Sequence, residues 1–410
     1  MSQQIPTSLS DSDSAIRDRI RNIAAREHGR TVEIRRHLHA NPELSFEEEQ
    51  TASYVAAELQ ELGIPFEKGI GGHGIRATLK GNGKSDRVLA LRADMDALPI
   101  QEANDVDYRS RVDGVMHACG HDAHTASLLG VARILSEMSG ELDGDIRFIF
   151  QPAEERFPGG ASLMIRDGIL QNPEPVSVIG QHVFPQLEAG TIGFRPGIYM
   201  AAADELYFTV KGRGGHGAYP HLTIDPVLMM AELISSLQRV VSRFTQADKP
   251  AVLSVGKVIA NGATNIIPEV VKLDGTFRSF DQELRFAAHE EIRRIAKGVA
   301  EAHGGTIETE IKVGYPPLLN HEGLTDRLRT RAEEFLGKDS VVDLPISMGA
   351  EDFAYYSQET SACFYRLGTG NTERGIKSPI HTPTFDIDEA SLEVGPGLMA
   401  WMAVQELRQQ

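Results

Sequence analysis

The sequence predicts an α/β protein in two domains, the smaller an α+β unit inserted into the larger. Three observations predict it. Short apolar runs with strand character, among them Val88 to Leu91, Ile146 to Phe150 and Val176 to Gly180, are interleaved with helical stretches in the first half of the chain. The middle then changes to alternating strands and two amphipathic helices in the order β-α-β-β-α-β, the split β-α-β pattern of a ferredoxin-like sandwich. The pieces that follow are too short to form a core alone and complete the first sheet. At 410 residues the chain exceeds one ordinary core. The larger domain is assigned to 1–197 and 316–410, the insertion to 198–315, and residues 1–14 to a disordered tail.

Taken in order, a helix covers roughly Ala15 to His39 and ends at the turn signal Asn41-Pro42-Glu43. Glu47 to Leu62 is helical, with Ala52, Val55, Ala56 and Leu59 as its apolar stripe and Gly63 as its stop. Strands follow at Ile75 to Leu79 and Val88 to Leu91. The second leads into Asp94 and Asp96, at the strand end where α/β sheets place their sites. His117 to His124 reads His-Ala-Cys-Gly-His-Asp-Ala-His and runs into a helix that Asp122 is placed to cap. The strand Ile146 to Phe150 is followed by Gln151-Pro-Ala-Glu154-Glu155, and His182 lies just past the strand Val176 to Gly180. Three strand ends and one helix-opening loop therefore present carboxylates, imidazoles and a thiol on one sheet edge.

The inserted domain begins with the alternation of Leu206, Phe208 and Val210. Asp225-Pro226 opens a helix with Val227, Met230, Ala231, Ile234 and Val241 inward. Strands at Ala251 to Ile259 and around Val271 to Phe277 precede a helix from Gln282 to His303, which Gly304 closes. Ile307 to Val313 is the last strand, and Tyr315-Pro316-Pro317 leads out. A helix near Gly323 to Leu336, a strand at Ala362 to Leu367 and a helix from Ala390 to Leu407 finish the chain. Gly212-Arg-Gly214-Gly215 lacks the lysine and context of a phosphate loop.

The net charge of −17 counts against nucleic acid and anionic membrane surfaces as partners. No apolar run is long enough to span a bilayer, and the N-terminus lacks the basic-then-apolar order of a signal peptide. The two cysteines, Cys119 and Cys363, are far apart, which excludes a disulfide framework and points to a reducing cytoplasm.

Imidazole and thiolate are preferred ligands of borderline-soft divalent metals, chiefly zinc. Of two adjacent carboxylates on a strand-ending loop, one can bind metal while the other stays free to take a proton from water that the metal acidifies. These motifs, with Gly-Gly-His216-Gly-Ala-Tyr-Pro-His221, Met-Gly-Ala-Glu-Asp-Phe353 and His381-Thr-Pro, resemble the co-catalytic metallopeptidase family of aminoacylases, carboxypeptidases and desuccinylases. Within it they are similar to the amidohydrolase branch of hippurate hydrolase, auxin-conjugate hydrolases and N-acetyl-diaminopimelate deacetylase. The resemblance runs in order from about Arg35 to Leu407.

The resemblance implies a zinc-peptidase-like three-layer α/β catalytic domain with an inserted ferredoxin-like lid that dimerises, giving a homodimer or a higher homo-oligomer. It implies two divalent ions per subunit, zinc first, with manganese, cobalt or nickel as alternatives. Cys119 takes the bridging position, and His121, Glu155, His182 and His381 complete the metal ligands. Glu154 is implied as general base, one of Asp94 and Asp96 (Asp96 is the choice) as the carboxylate that orients a ligand imidazole, and His216 as the group that polarises the scissile carbonyl or holds the oxyanion. Asn265 and Arg278 would hold the free carboxylate of a small-molecule substrate, an N-acyl-L-amino acid. A metallo-carboxypeptidase or dipeptidase is the alternative enzyme, and a non-catalytic metal-binding protein the alternative outside catalysis.

Overall fold

The structure is a computed structural model that describes residues 9–409. The chain divides into two compact units. One runs to Gly197 and resumes over Leu319–Pro345 and from Tyr355; the other comprises Ile198–Leu318 and Ile346–Ala354. Ile346–Ala354 thus groups with the second unit, inside the stretch that the sequence assigns to the larger domain. Of the expected disordered tail, residues 1–8 lie outside the described residues. Asp11 to Ser14 belong instead to the helix Asp11–Ala40, because Ser10 caps it by accepting the Asp13 amide.

The first unit is built on an eight-stranded mixed sheet. In spatial order its strands are Phe66–Ile70, Gly74–Leu79, Asp145–Gln151, Val88–Asp94, Ser177–Glu188, Ala362–Gly370, Ile192–Phe194 and Val341–Asp343. Asp145–Gln151, Val88–Asp94, Ser177–Glu188 and Ala362–Gly370 run parallel to one another. Every residue of Val88–Asp94 and Ala362–Gly370 is buried, as expected for parallel strands covered on both faces. The helices Asp11–Ala40, His121–Ser136 and Ser391–Leu407 pack against one another. Trp401 is buried there, and its indole N–H donates to the Arg331 carbonyl at 2.9 Å. Among the described residues no helix is long and apolar enough to cross a membrane.

The parallel register sets the height of the chemistry-bearing residues. Asp94 pairs with Gln151, and Arg92 with Gly180. Two residues further along, Asp94 and His182 are therefore level, with Glu154 and Glu155 in the turn just past Gln151. His182 is not past its strand, as the sequence suggests, but inside it. Pairing with Ala362–Gly370 continues through Arg366 and carries Ser177–Glu188 beyond its apolar run. Asp122 does not cap its helix either. Gly120 occupies the N-cap without a side-chain bond, and the Asp122 carboxylate accepts from Arg35 Nε at 2.8 Å and His39 Nδ1 at 2.7 Å.

The second unit carries a four-stranded antiparallel sheet in the order Ala251–Ala260, Val270–Ser279, Ala202–Lys211, Thr306–Val313. The helices Pro226–Arg239 and Gln282–His303 pack on each other and on this sheet. Asp225 caps the first helix by accepting the Val227 and Leu228 amides. Its buried line is Met229, Leu233 and Leu237, while Ala231 is exposed and Val227, Met230, Ile234 and Val241 flank the core. The stripe is so broad that period alone leaves its centre undetermined.

Asp204 ties this unit together. It is buried, and it accepts from Arg285 Nε at 2.9 Å, His289 Nε2 at 2.7 Å and the Gly314 amide at 3.1 Å. Burial opposes its charge, but Arg285 and His289 outweigh burial and hold its carboxyl below the usual range. The stabilisation is therefore present above the unfolded value of about 3.9 and fades as pH falls below it. Replacing Asp204 by Asn leaves the buried Arg285 poorly compensated. Urea unfolding at pH 7 should show a loss of about 3 kcal/mol, shrinking below about pH 4. An unchanged midpoint at pH 7 would show that Asp204 does not stabilise the fold.

Candidate metal centre

The centre grows from the turn that precedes the helix His121–Ser136. Gly120 adopts φ 84°, and a Cβ there would approach Val183 Cγ2 to 2.5 Å. Only glycine lets the chain turn between Cys119 and His121 while packed this closely on the strand Ser177–Glu188. The helix N-terminus then favours negative charge next to the thiol.

Cys119 Sγ lies 3.4 Å from His182 Nε2 and 3.3 Å from His381 Nε2. His381 Nε2 is 3.1 Å from Glu155 Oε1, which in turn is 4.0 Å from His121 Nε2. Two donor triads follow, Cys119–His121–His182 and Cys119–Glu155–His381, and they share the thiol. Glu154 joins His121 and Glu155 in a third group, and its side chain is buried. The structure thus brings together all five expected ligands and the expected base. His381 is half exposed and marks the open side of the cluster.

The imidazoles of His121 and His182 are each fixed through Nδ1. His121 Nδ1 donates to Asp96 Oδ1 at 3.0 Å, and His182 Nδ1 donates to the Val183 carbonyl at 2.8 Å. Asp96 is held in turn by the Ser45 hydroxyl at 2.6 Å and the Glu155 amide at 3.0 Å. Of the two candidate aspartates, Asp96 is therefore the one bonded to the His121 imidazole. Asp94 serves His124 instead, accepting from its Nδ1 at 2.6 Å, while Arg92 donates to Asp94 at 2.7 Å. The Val183 amide donates to His124 Nε2 at 2.8 Å, so both nitrogens of His124 are committed.

Several observations fit a divalent cation. His121 Nε2 is buried without a hydrogen-bond partner, although polar atoms surround it. Burial and the carboxylates of Glu155, Glu154 and Asp94 push the Cys119 thiol up. Burial alone would lower His121, but Asp94, Asp96 and Glu155 overcome it and raise the imidazole to about 10. The cluster therefore carries excess negative potential, which a cation relieves. Burial, then Arg366, keeps His182 well below its ordinary value and neutral, with a lone pair at Nε2. Thiol, imidazole and carboxylate donors in this number suit a divalent ion.

Backbone strain is concentrated at the same place. His381 has φ 62° and Ala153, next to Glu154, has φ 53°. Each costs roughly 1–2 kcal/mol for a residue with a Cβ. The His381 amide is held by the Ala118 carbonyl at 2.7 Å. Sequence reading misses these conformations, and it misses Ser45 and Arg92. His117 is buried with neither nitrogen hydrogen-bonded, and burial lowers it to about 4. Cys363 is a core thiol, pushed up to about 12 by burial.

His216, Asn265 and Arg278 belong to the second unit. His216 pairs with Ile266 in a short antiparallel ribbon, and the Gly217 amide donates to the Asn265 carbonyl at 2.8 Å. His216 and Asn265 are thus neighbours, both exposed. The Ala218 amide donates to His216 Nδ1 at 3.1 Å, which leaves Nε2 to carry the proton of the neutral ring. Arg278, half-buried in Val270–Ser279, donates Nε–H to Thr276 Oγ1 at 3.1 Å.

Two outcomes are expected of metal titrations. Chelated protein should take up to two divalent ions per chain by elemental analysis. Asp96→Ala, which removes the brace on His121 but no ligand, should weaken uptake by roughly 10- to 100-fold in competition with a chelator. Unchanged affinity would mean that the His121–Asp96 bond does not tune the site.

The family model for peptidase family M20/M25/M40 matches residues 90–404. The chain is 46% identical over 288 residues to an N-acyl-L-amino acid amidohydrolase of Geobacillus stearothermophilus, covering 70% of this chain and 77% of that protein. It is 39% identical to an N-acetylcysteine deacetylase of Bacillus subtilis, covering 92% of this chain and 97% of that protein. Among solved structures it resembles the Bacillus subtilis YXEP protein, a dinuclear metal-binding peptidase of the M20 family. That match has 36% identity and a TM-score of 0.79, covering 93% of this chain and 99% of that one. The shared thiol cluster therefore belongs to a member of peptidase family M20/M25/M40, an enzyme that acts on amide bonds.

Proposed function

We propose that the protein hydrolyses the amide of N-acyl-L-amino acids, releasing a carboxylate and the free amino acid. The observation that carries this reading is the buried Glu154 beside a five-donor cluster that shares one thiol. Cys119, His121, Glu155, His182 and His381 would hold two divalent ions, zinc first. Ions held there supply a Lewis acid that makes water nucleophilic near neutral pH.

The chain's own groups do the rest. Glu154 takes one proton from the attacking water and delivers it to the departing amine nitrogen. Attack forms the C–O bond first and opens the carbonyl to a tetrahedral adduct. The C–N bond then breaks as the adduct collapses onto the protonated nitrogen, and the proton left on the new carboxylic acid passes to the released amine. Asp96 keeps the His121 ring in one orientation, so its Nε2 lone pair faces the cluster. His216 donates Nε2–H to the carbonyl oxygen as negative charge develops there. Arg278 and Asn265 bind the free carboxylate, the guanidinium through its planar fork. The second unit would be a lid that pairs two subunits, with His216 serving the partner's site. The resemblance supports this last role, and the exposure of His216 is compatible with it.

Glu154→Gln should keep its metal and lose turnover by roughly 100- to 10,000-fold, because only the proton acceptor changes. Glu155→Ala should lose metal. Amine release from hippurate, acetyl-amino acids and dipeptides reads the substrate class in the same assay. Near-wild-type turnover by Glu154→Gln would remove it as base, and preferential cleavage of dipeptides would make the enzyme a peptidase. For His216, neither Glu154→Ala nor His216→Ala protein should be active alone. Randomly mixed dimers should regain roughly a quarter of wild-type activity. No recovery despite proven subunit exchange would place His216 outside a shared site.

A further inference from the structure

Two residues with side chains adopt left-handed backbone close to one carboxylate: Ala153 at φ 53° and Phe46 at φ 71°. Both backbone N–H groups donate to the same atom. Glu48 Oε1 accepts from Ala153 at 2.7 Å and from Phe46 at 3.0 Å. The Ala153 carbonyl accepts from the Gly160 amide at 2.9 Å, so both polar groups of that peptide are pinned. Glu48 is fully buried, and its own carbonyl accepts the Ala52 amide in the first turn of the helix Glu49–Glu61. The acceptor is therefore anchored by a helix, while the residue that it grips immediately precedes Glu154.

A carboxylate is an expensive group to bury for two amide bonds alone. Its second oxygen is buried with no hydrogen-bond partner. Burial, with Asp96 nearby, raises the carboxyl to about 7, so it needs no full charge to keep its place. What both protonation states share is an acceptor at Oε1. The same loop supplies Ser45, whose hydroxyl holds Asp96, so one short segment braces the Glu154 turn and the His121 brace together.

We infer that Glu48 is a positioning residue for hydrolysis: its Oε1 holds Ala153 in the left-handed conformation from which Glu154 projects. The inference rests on Glu154 being the general base. It is tested with Glu48→Ala and Glu48→Gln, each alone and combined with Glu154→Gln. Turnover is expressed per bound metal ion, and exchange of the Ala153 amide is followed by NMR. Glu48→Ala should lower kcat roughly 10- to 100-fold with KM within about twofold. It should also speed Ala153 exchange. Glu48→Gln keeps a carbonyl oxygen and should stay within about threefold of wild type on kcat. In the Glu154→Gln background Glu48→Ala should add nothing, since it acts through that residue.

The inference is overturned by wild-type kcat and exchange in Glu48→Ala, by equal damage from Ala and Gln, or by an undiminished effect without Glu154. An active Glu154→Gln single variant would instead overturn the base assignment, and Ala153 exchange would still report on the clamp. Should Glu48→Ala not fold, Glu48→Asp withdraws the acceptor by one methylene and is read by the same criteria.

Discussion

One buried thiol with an imidazole nitrogen on either side, at 3.4 and 3.3 Å, is the constraint that the first unit is arranged around. Its two histidines come from the strand Ser177–Glu188 and from a segment some two hundred residues later in the sequence. Bringing them together requires the parallel pairing of Ser177–Glu188 with both Val88–Asp94 and Ala362–Gly370. It also requires a glycine at 120, since any side chain there would meet Val183. The carboxylates that crowd the thiol make the cluster unfavourable without a cation, because buried like charges cannot be screened by water.

Around this cluster a second layer of polar groups fixes direction rather than charge. Ser45 and the Glu155 amide hold Asp96, which holds His121. Arg92 holds Asp94, which holds His124. Glu48 holds the turn that carries the glutamates. The strained residues Ala153 and His381 both have their amides tied down: one is bound to a buried carboxylate, the other to the Ala118 carbonyl. Strain of this kind persists only where surrounding bonds over-determine the backbone. The chain's own hydrogen bonds supply this rigidity, as precise metal and substrate chemistry requires.

The sequence made some of this legible for physical reasons. Apolar runs ending in Asp94 and Gln151 mark strands buried on both faces, and a parallel sheet must then align their C-terminal ends. The end of the helix Gln282–His303 is legible because Gly304 closes it in the left-handed conformation, whereas the Asp281 cap at its start appears only in the structure. Other features depend on contacts distant in sequence. Asp122 looks like a helix cap, yet Arg35 and His39 claim it across more than eighty residues. His182 looks like a strand end because its apolar run stops, while pairing with Ala362–Gly370 carries the strand onward. Glu48 is one of three consecutive glutamates, and nothing local separates the buried one from its exposed neighbours. Periodicity did not choose between Ala231 and Leu233 on a helix whose apolar arc is wide.

The central claim is that Cys119 is shared by two metal ions. X-ray absorption at the zinc edge of protein loaded first with one and then with two equivalents tests it most directly. A shared thiolate predicts a sulfur scatterer at about 2.3 Å that persists, averaging one sulfur per zinc, when the second ion is bound. Its removal in a Cys119→Asp variant should leave only nitrogen and oxygen neighbours. A two-zinc spectrum with half a sulfur per ion would confine the thiol to one ion, and a spectrum without sulfur would contradict the account.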